Sequence, residues 1–281
     1  MNLSSGIPTL KQLDELRGTD YYRDHERSNA AFLERHAGPM KSYRAKWEYD
    51  PYRLWSRRWE YPYVADRVLT FARQNEGQPL RVLDAGSGVT YLPYYLCQRV
   101  PELSVVAFDY DTSYVPMFDA INKAEGHNRV QFSTGMMQKL PFEAGSFDAI
   151  VCVSVLEHTD EYDVILSEFD RVLRPGGQLA LTFDLSLDGK FELSKPMATK
   201  LLQRILQSYT PADGALDPVK ELDRMDKPDG LLSTDAIKKT NPELLPWRHP
   251  LLKAAKDLIE GHGWTGGFRS KSVFCLDARR R

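Results

Sequence analysis

The chain has little of what several protein classes need. Three cysteines, Cys97, Cys152 and Cys275, lie far apart and are odd in number, which gives neither a disulfide framework nor a metal-ligand spacing. Cys97 and Cys152 stand in apolar runs, where a buried thiol is the default, so a reducing compartment is expected. No apolar run approaches bilayer-spanning length, and the opening Met1-Asn-Leu-Ser-Ser-Gly-Ile-Pro8 holds no apolar core of signal-peptide length. A soluble, cytoplasmic protein with no membrane partner is the expectation. An excess of one charge is also lacking: 37 Lys and Arg stand against 39 Asp and Glu, for a formal net charge of -2. Without a broad basic field, no nucleic-acid partner is expected. The terminal Arg279-Arg280-Arg281 reads as a short solvated tail. Repeats and low-complexity tracts are absent, as is any metal set. Asp160, Glu161 and Asp163 are placed as helix-start acids rather than metal ligands.

What is present begins with length. A chain of 281 residues can bury a full core and suggests one large α/β domain with additions. Residues 1–76 are polar, charged and aromatic-rich, with helical stretches at Thr9 to Leu16, Tyr21 to His36 and Pro62 to Gln74. They read as a helical cap. From residue 77 to 281 the pattern is that of a strand-helix domain. Strands are expected at Arg81–Asp84, Ser104–Asp109, Val130–Ser133, Phe147–Val153, Gln178–Phe183 and Ser270–Leu276, with helices between them. Such alternation predicts a largely parallel sheet covered on both faces. Residues 186–250 interrupt the rhythm with an amphipathic helix, Met197 to Tyr209, and a proline-rich stretch that reads as an insertion over the mouth of the sheet. A helix over 251–261 precedes the last strand.

The first strand runs through Asp84 into a tight Gly86-Ser87-Gly88 turn, and the next strand ends in Asp109, 21 residues after Gly88. A βαβ unit of this kind holds an adenosine: the glycines let backbone approach the ligand, and the acid takes the ribose hydroxyls. A dinucleotide fold wants a third glycine further into the helix, where this chain has Tyr91-Leu92. The turn therefore suits a cofactor without phosphates, and a nicotinamide oxidoreductase is disfavoured.

Further segments follow in order: Asp109-Tyr110, Gly135-Met-Met-Gln-Lys-Leu-Pro-Phe142, Gly145-Ser-Phe-Asp148, Val153-Ser-Val-Leu-Glu-His158 and Arg171-Val-Leu-Arg-Pro-Gly-Gly177. This ordered set, over about residues 80–184, resembles the class I S-adenosylmethionine-dependent methyltransferases, and most of all the small-molecule, methyltransferase type 11-like group. The resemblance implies a doubly wound, Rossmann-like seven-stranded sheet, mostly parallel with an antiparallel last strand. It implies S-adenosylmethionine as cofactor and a small-molecule acceptor. Gly86, Ser87 and Gly88 would pass under the methionine and ribose, Asp109 would accept from both ribose hydroxyls, and Tyr110 would lie on the adenine face. Met136, Met137 and Gln138 would flank the adenine, and Ser154 would lie beside the methionine end. Asp84 either orients the turn or touches the ligand.

Two positions depart from the family pattern: Thr90 replaces a frequent third glycine, and Met136 replaces an Asp that would receive the adenine amino group. His158, at the end of strand four, is either a general base for the acceptor or a positioning residue. Glu157 either caps a helix or pairs with an arginine of the cap. Arg57 or Arg58 offers a fork for the cofactor carboxylate. The cap aromatics Tyr21, Tyr22, Trp47, Trp55, Trp59 and Tyr61 either pack or close over the sulfonium. A methyltransferase acting on nucleic acid or protein, and a non-catalytic cofactor-binding module of the same fold, remain as alternatives. A homo-oligomer is possible.

Overall fold

The longer apolar runs after residue 80 fold into strands that are buried on both faces. The computed structural model describes residues 3–46, 51–126, 128–190, 192–245, 254–255, 258–259 and 268–281. Trp47, Pro246 and Pro250 lie outside the described residues, as does the helix read over 251–261 apart from helical 254–255 and 258–259.

Seven strands form one sheet: β1 (Leu80–Ala85), β2 (Leu103–Asp109), β3 (Val130–Thr134), β4 (Phe147–Val153), β5 (Leu173–Ser186), β6 (Tyr209–Pro211) and β7 (Lys271–Arg280). Their order is β3-β2-β1-β4-β5-β7-β6. Strands β1 to β5 run parallel, and β7 is antiparallel to both β5 and β6. The expected mostly parallel sheet with an antiparallel last strand is present. Strand order reverses between β1 and β4, which opens a crevice at their carboxyl ends.

Among the described residues the helices are α1 (Leu10–Arg17), α2 (Asp20–Arg35), α3 (Lys41–Lys46), α4 (Arg57–Gln74), α5 (Leu92–Arg99), α6 (Val115–Glu125), α7 (Tyr162–Val172), α8 (Lys195–Ser208), α9 (Pro218–Glu221) and α10 (Thr234–Thr240). Successive strand residues point to opposite faces. Leu80 and Val82 meet α4, α5, α6 and the cap, whereas Leu83 and Ala85 meet α7 and α8. No helix among the described residues is long and apolar enough to cross a membrane.

Four elements differ from their expected form, the first being β7, which runs on to Arg280, so that Arg279 and Arg280 are paired strand residues rather than a solvated tail. The helix expected from Pro62 begins at Arg57 and carries Pro62 in its interior. Trp59, Glu60 and Tyr61 are buried in that added turn, so tertiary packing carries the helix through the proline. β5 extends from Leu173, which pairs with Phe147 of β4, to Ser186, as far as β7 pairs along it. β6 has only three residues and ends in a proline, which suits an edge strand and leaves no periodic signal. Within 186–250, α8 packs on α7 and β5, and α10 packs on β7.

Candidate functional site

The crevice is built first by backbone. β1 delivers Asp84 and Ala85 to the strand end, and the chain then turns back at Gly86. The Gly86 and Ser87 amides both donate to the Phe108 carbonyl, at 2.8 and 3.1 Å, which fixes the turn against β2. Gly86 and Gly88 have φ of 74° and 52°, in the left-handed region that glycine adopts at little cost. Space is as restrictive as conformation. A Cβ on Gly86 would lie 2.5 Å from Val155 Cγ2, and one on Gly88 would lie 2.7 Å from the Tyr43 hydroxyl.

Asp109 organises this turn. Its Oδ2 accepts from the Gly88 amide at 3.0 Å, and its Oδ1 accepts from the Asp111 amide at 3.1 Å. The Gly135 amide donates to its carbonyl at 3.1 Å, which brings the β3 loop to the same end. Asp84 is buried beside it. Burial, and then the charge of Asp109, push the Asp84 carboxyl up to about 7. Asp84, Gly86, Ser87, Gly88 and Asp109 therefore form one constellation. Tyr110 is 72% exposed and Met136 58% exposed at the neighbouring strand ends, which leaves both faces open to a flat ligand. Met137 packs against the core on the α7 side, and Gln138 donates to Glu161 Oε2 at 2.7 Å. A cavity of about 360 Å³, lined by Ser42, Tyr43, Ser113 and Tyr114 among others, adjoins the loop after Asp109.

Ser154 is part of a different arrangement. It has φ of 50°, unusual for a residue other than glycine. Its hydroxyl donates to Glu60 Oε1 at 2.6 Å and accepts from Arg57 Nη1 at 2.6 Å. Thr182 Oγ1 also donates to Glu60 Oε1, at 2.6 Å, and Arg57 pairs with Glu60. Burial alone would raise the Glu60 carboxyl, but Arg57, Ser154 and Thr182 outweigh it and hold the pKa below the usual range. Arg58 pairs instead with Glu26 and donates to the Tyr22 hydroxyl at 2.8 Å.

His158 ends a short 3-10 helix after β4 and is exposed at the crevice rim. Partial desolvation lowers the pKa of its imidazole, with Glu192 and Asp184 opposing. Among the described residues Glu157 caps no helix and forms no ion pair with the cap. Its Oε1 accepts from the Asp184 amide at 3.2 Å. Glu60, Thr182, Asp184 and Lys271 escape the sequence reading. The i,i+3 spacing of Arg57 and Glu60 is a signal for the first of them once α4 is extended to Arg57.

Comparison with known proteins adds a domain to this geometry. Residues 83–181 match a family model described as a methyltransferase domain. A demethylmenaquinone methyltransferase of Lactococcus lactis subsp. lactis is 32% identical over 114 residues, 40% of this chain and 45% of that protein. A norajmaline N-methyltransferase of Rauvolfia serpentina is 24% identical over 217 residues, 72% of each chain. Across three of the most similar curated relatives the matched share of the relative is 45%, 42% and 54%, so the chain spans about half their length. The crystal structure of the [4+2]-cyclase SpnF aligns with a TM-score of 0.51 at 17% identity, over 83% of this chain and 86% of that one. At that identity the likeness shows a shared fold alone.

Proposed function

We infer that this chain, whose residues 83–181 carry a class I methyltransferase domain, transfers a methyl group from S-adenosylmethionine to a small-molecule acceptor. The observation that carries the reading is the Gly86–Gly88 turn, tied by its amides to Phe108 and Asp109 at the point where strand order reverses. The cofactor fits the residues present. Each Asp109 oxygen accepts one amide and keeps a second lone pair for a ribose hydroxyl. Asp84 is a buried acid suited to a cationic ligand.

When bound, S-adenosylmethionine supplies a methyl group already made electrophilic by its sulfonium. The chain's own work is then to bind, align and exclude water. Gly86, Ser87 and Gly88 carry the methionine and ribose, and Tyr110 with Met136, Met137 and Gln138 borders the adenine. Tyr43 and Val155 close over the turn and shield it. Ser154 acts by holding Arg57, whose guanidinium is the cap's contribution near the methionine end. Alignment of two held reactants removes roughly 7–11 kcal/mol of barrier, so the acceptor itself is the nucleophile and none is needed from the protein. His158 at the rim accepts a proton from the acceptor or orients it, which adds about 10²–10⁴-fold where the proton is held tightly. The near-balanced charge and the names of the relatives support a small acceptor rather than a nucleic acid.

Thermal melting with S-adenosylhomocysteine, and separately with NAD, tests this. At about 100 times its dissociation constant a ligand adds roughly 2.7 kcal/mol. For a chain of this size that raises the melting temperature by roughly 5–10 °C. A shift with S-adenosylhomocysteine alone is expected. A shift with NAD alone, or none with either, overturns the proposal.

A further inference from the structure

A second polar cluster, which the cofactor cradle does not use, lies at the carboxyl ends of β4 and β5. Glu157 comes from the 3-10 helix after β4, Asp184 from the end of β5, and Glu192 from the connection that follows. One carboxylate oxygen from each lies within 4.8 Å of the others. Asp184 is 3% exposed. Its Oδ2 pairs with Lys271, and Glu192 Oε1 accepts from Arg269 Nη1 at 2.9 Å. Glu157 Oε1 takes the Asp184 amide. Asp184 Oδ1 and Glu157 Oε2 are left buried, with no hydrogen-bond partner among the described residues.

Charge makes this arrangement expensive as it stands. Lys271 and Arg269 offset two of the three carboxylates, while Arg57 and Glu60 nearby offset each other. The third carboxylate, Glu157, has no cation paired with it among the described residues, and two buried oxygens, Asp184 Oδ1 and Glu157 Oε2, have no donor there. A buried acceptor without a donor costs about 1–3 kcal/mol, and more when it is charged. Something positive belongs between these oxygens.

We propose that Glu157, Asp184 and Glu192 bind one hard divalent cation of the Mg²⁺, Mn²⁺ or Ca²⁺ class. An all-carboxylate donor set selects such ions over the soft metals that thiolates take. The spacing also suits a single ion. Oxygens on opposite sides of Ca²⁺ stand at about twice the 2.3–2.6 Å bond length, so three oxygens within 4.8 Å of one another are within reach of one centre. The orphaned Asp184 Oδ1 and Glu157 Oε2 supply ligand atoms that no protein donor holds. Glu192 has φ of 55°, in the left-handed region, and its side chain is turned into the cluster against Arg269. The site is separate from the glycine turn and does not depend on the methyltransferase reading.

The test uses the full chain, freed of metal with a chelator and without cofactor. Mn²⁺ is titrated at pH 7.5 with free ion followed by electron paramagnetic resonance, and Ca²⁺ is titrated by calorimetry. One ion per chain is expected, with a dissociation constant below about 1 mM. Glu157→Gln and Glu192→Gln keep the side-chain shape, and circular dichroism establishes that each variant is folded. Each is expected to weaken binding by about tenfold or more. No saturable binding to the folded wild-type protein overturns the proposal and leaves a proton as the neutralising species. Unchanged affinity in both variants also overturns it, because the ion then sits elsewhere.

Discussion

Asp84 and Asp109 show how two like residues on adjacent strands acquire different tasks. Asp109 has two amide donors, whereas Asp84 is buried next to that charge and its carboxyl rises to about 7. Because the folded-state pKa lies above the unfolded value near 3.8, the contribution of Asp84 to stability is fully present below about pH 4. It is lost as pH rises through about 7. The expected outcome in urea denaturation is that Asp84→Asn gains on the wild type by up to a few kcal/mol between pH 4.5 and 8.5. A stability difference independent of pH would mean that Asp84 does not titrate in this range. Asp109→Ala removes the proposed ribose acceptor and the Gly88 anchor together. Hydrogen bonds to a charged group are worth about 1.5–3 kcal/mol. Calorimetry should show S-adenosylhomocysteine binding about 10–100-fold more weakly, and unchanged affinity would remove Asp109 from the ribose role.

At the scale of elements, the join between α4 and the ends of β4 and β5 matters most. Glu60 is buried with Arg57, Ser154 and Thr182, and replacing it strands the Arg57 guanidinium. Removing one partner of a buried pair costs about 3–5 kcal/mol. Urea unfolding of Glu60→Gln should show a loss of that order, recovered in part when Arg57→Met is added. A loss below about 1 kcal/mol would reduce the network to a surface pair. Gly86→Ala is a second case, with its new Cβ driven to 2.5 Å from Val155 at a φ of 74°. It should destabilise the fold by about 1–3 kcal/mol and weaken S-adenosylhomocysteine binding, both read in one melting series. These elements also show what was legible in the chain. β4 is readable to the residue, because Phe147–Val153 is an apolar run bounded by turns. So is the Gly86–Gly88 turn with Asp109, where glycine and aspartate types carry backbone and hydrogen-bond requirements with them. The start of α4 is not, because Pro62 reads as a first turn unless the burial of Trp59, Glu60 and Tyr61 is known. Nor is the engagement of Ser154, which depends on residues 94 and 97 positions away in sequence.

Across the whole molecule, the aromatic first quarter of the chain is packed as part of the body. Leu13, Leu16, Tyr22, Phe32 and Trp59 share one buried cluster with Val82, Val105 and Ala149. Polar ties cross the same boundary. His25 Nδ1 lies 2.7 Å from the Tyr91 hydroxyl, and the Tyr95 hydroxyl donates to Asp24 Oδ2 at 3.1 Å. Burial, and then the charge of Arg99, lower His25 to about 3, so its ring stays neutral and the tie holds through the physiological range. Gly6 exchanges backbone hydrogen bonds with Cys275 of β7, at 2.7 and 3.0 Å. Tyr43 from the same region lies against the turn that a cofactor must reach. A cap held by a shared core and by strand pairing cannot melt before the sheet without exposing that core. Hydrogen exchange in dilute denaturant should therefore give the central amides of α2 and of β1 the same opening free energy and the same denaturant slope. S-adenosylhomocysteine should raise both equally, because it stabilises one cooperative unit. If α2 opens several kcal/mol more easily than β1, and the ligand protects α2 more strongly, the cap is instead a separately folding lid whose closure is driven by the cofactor.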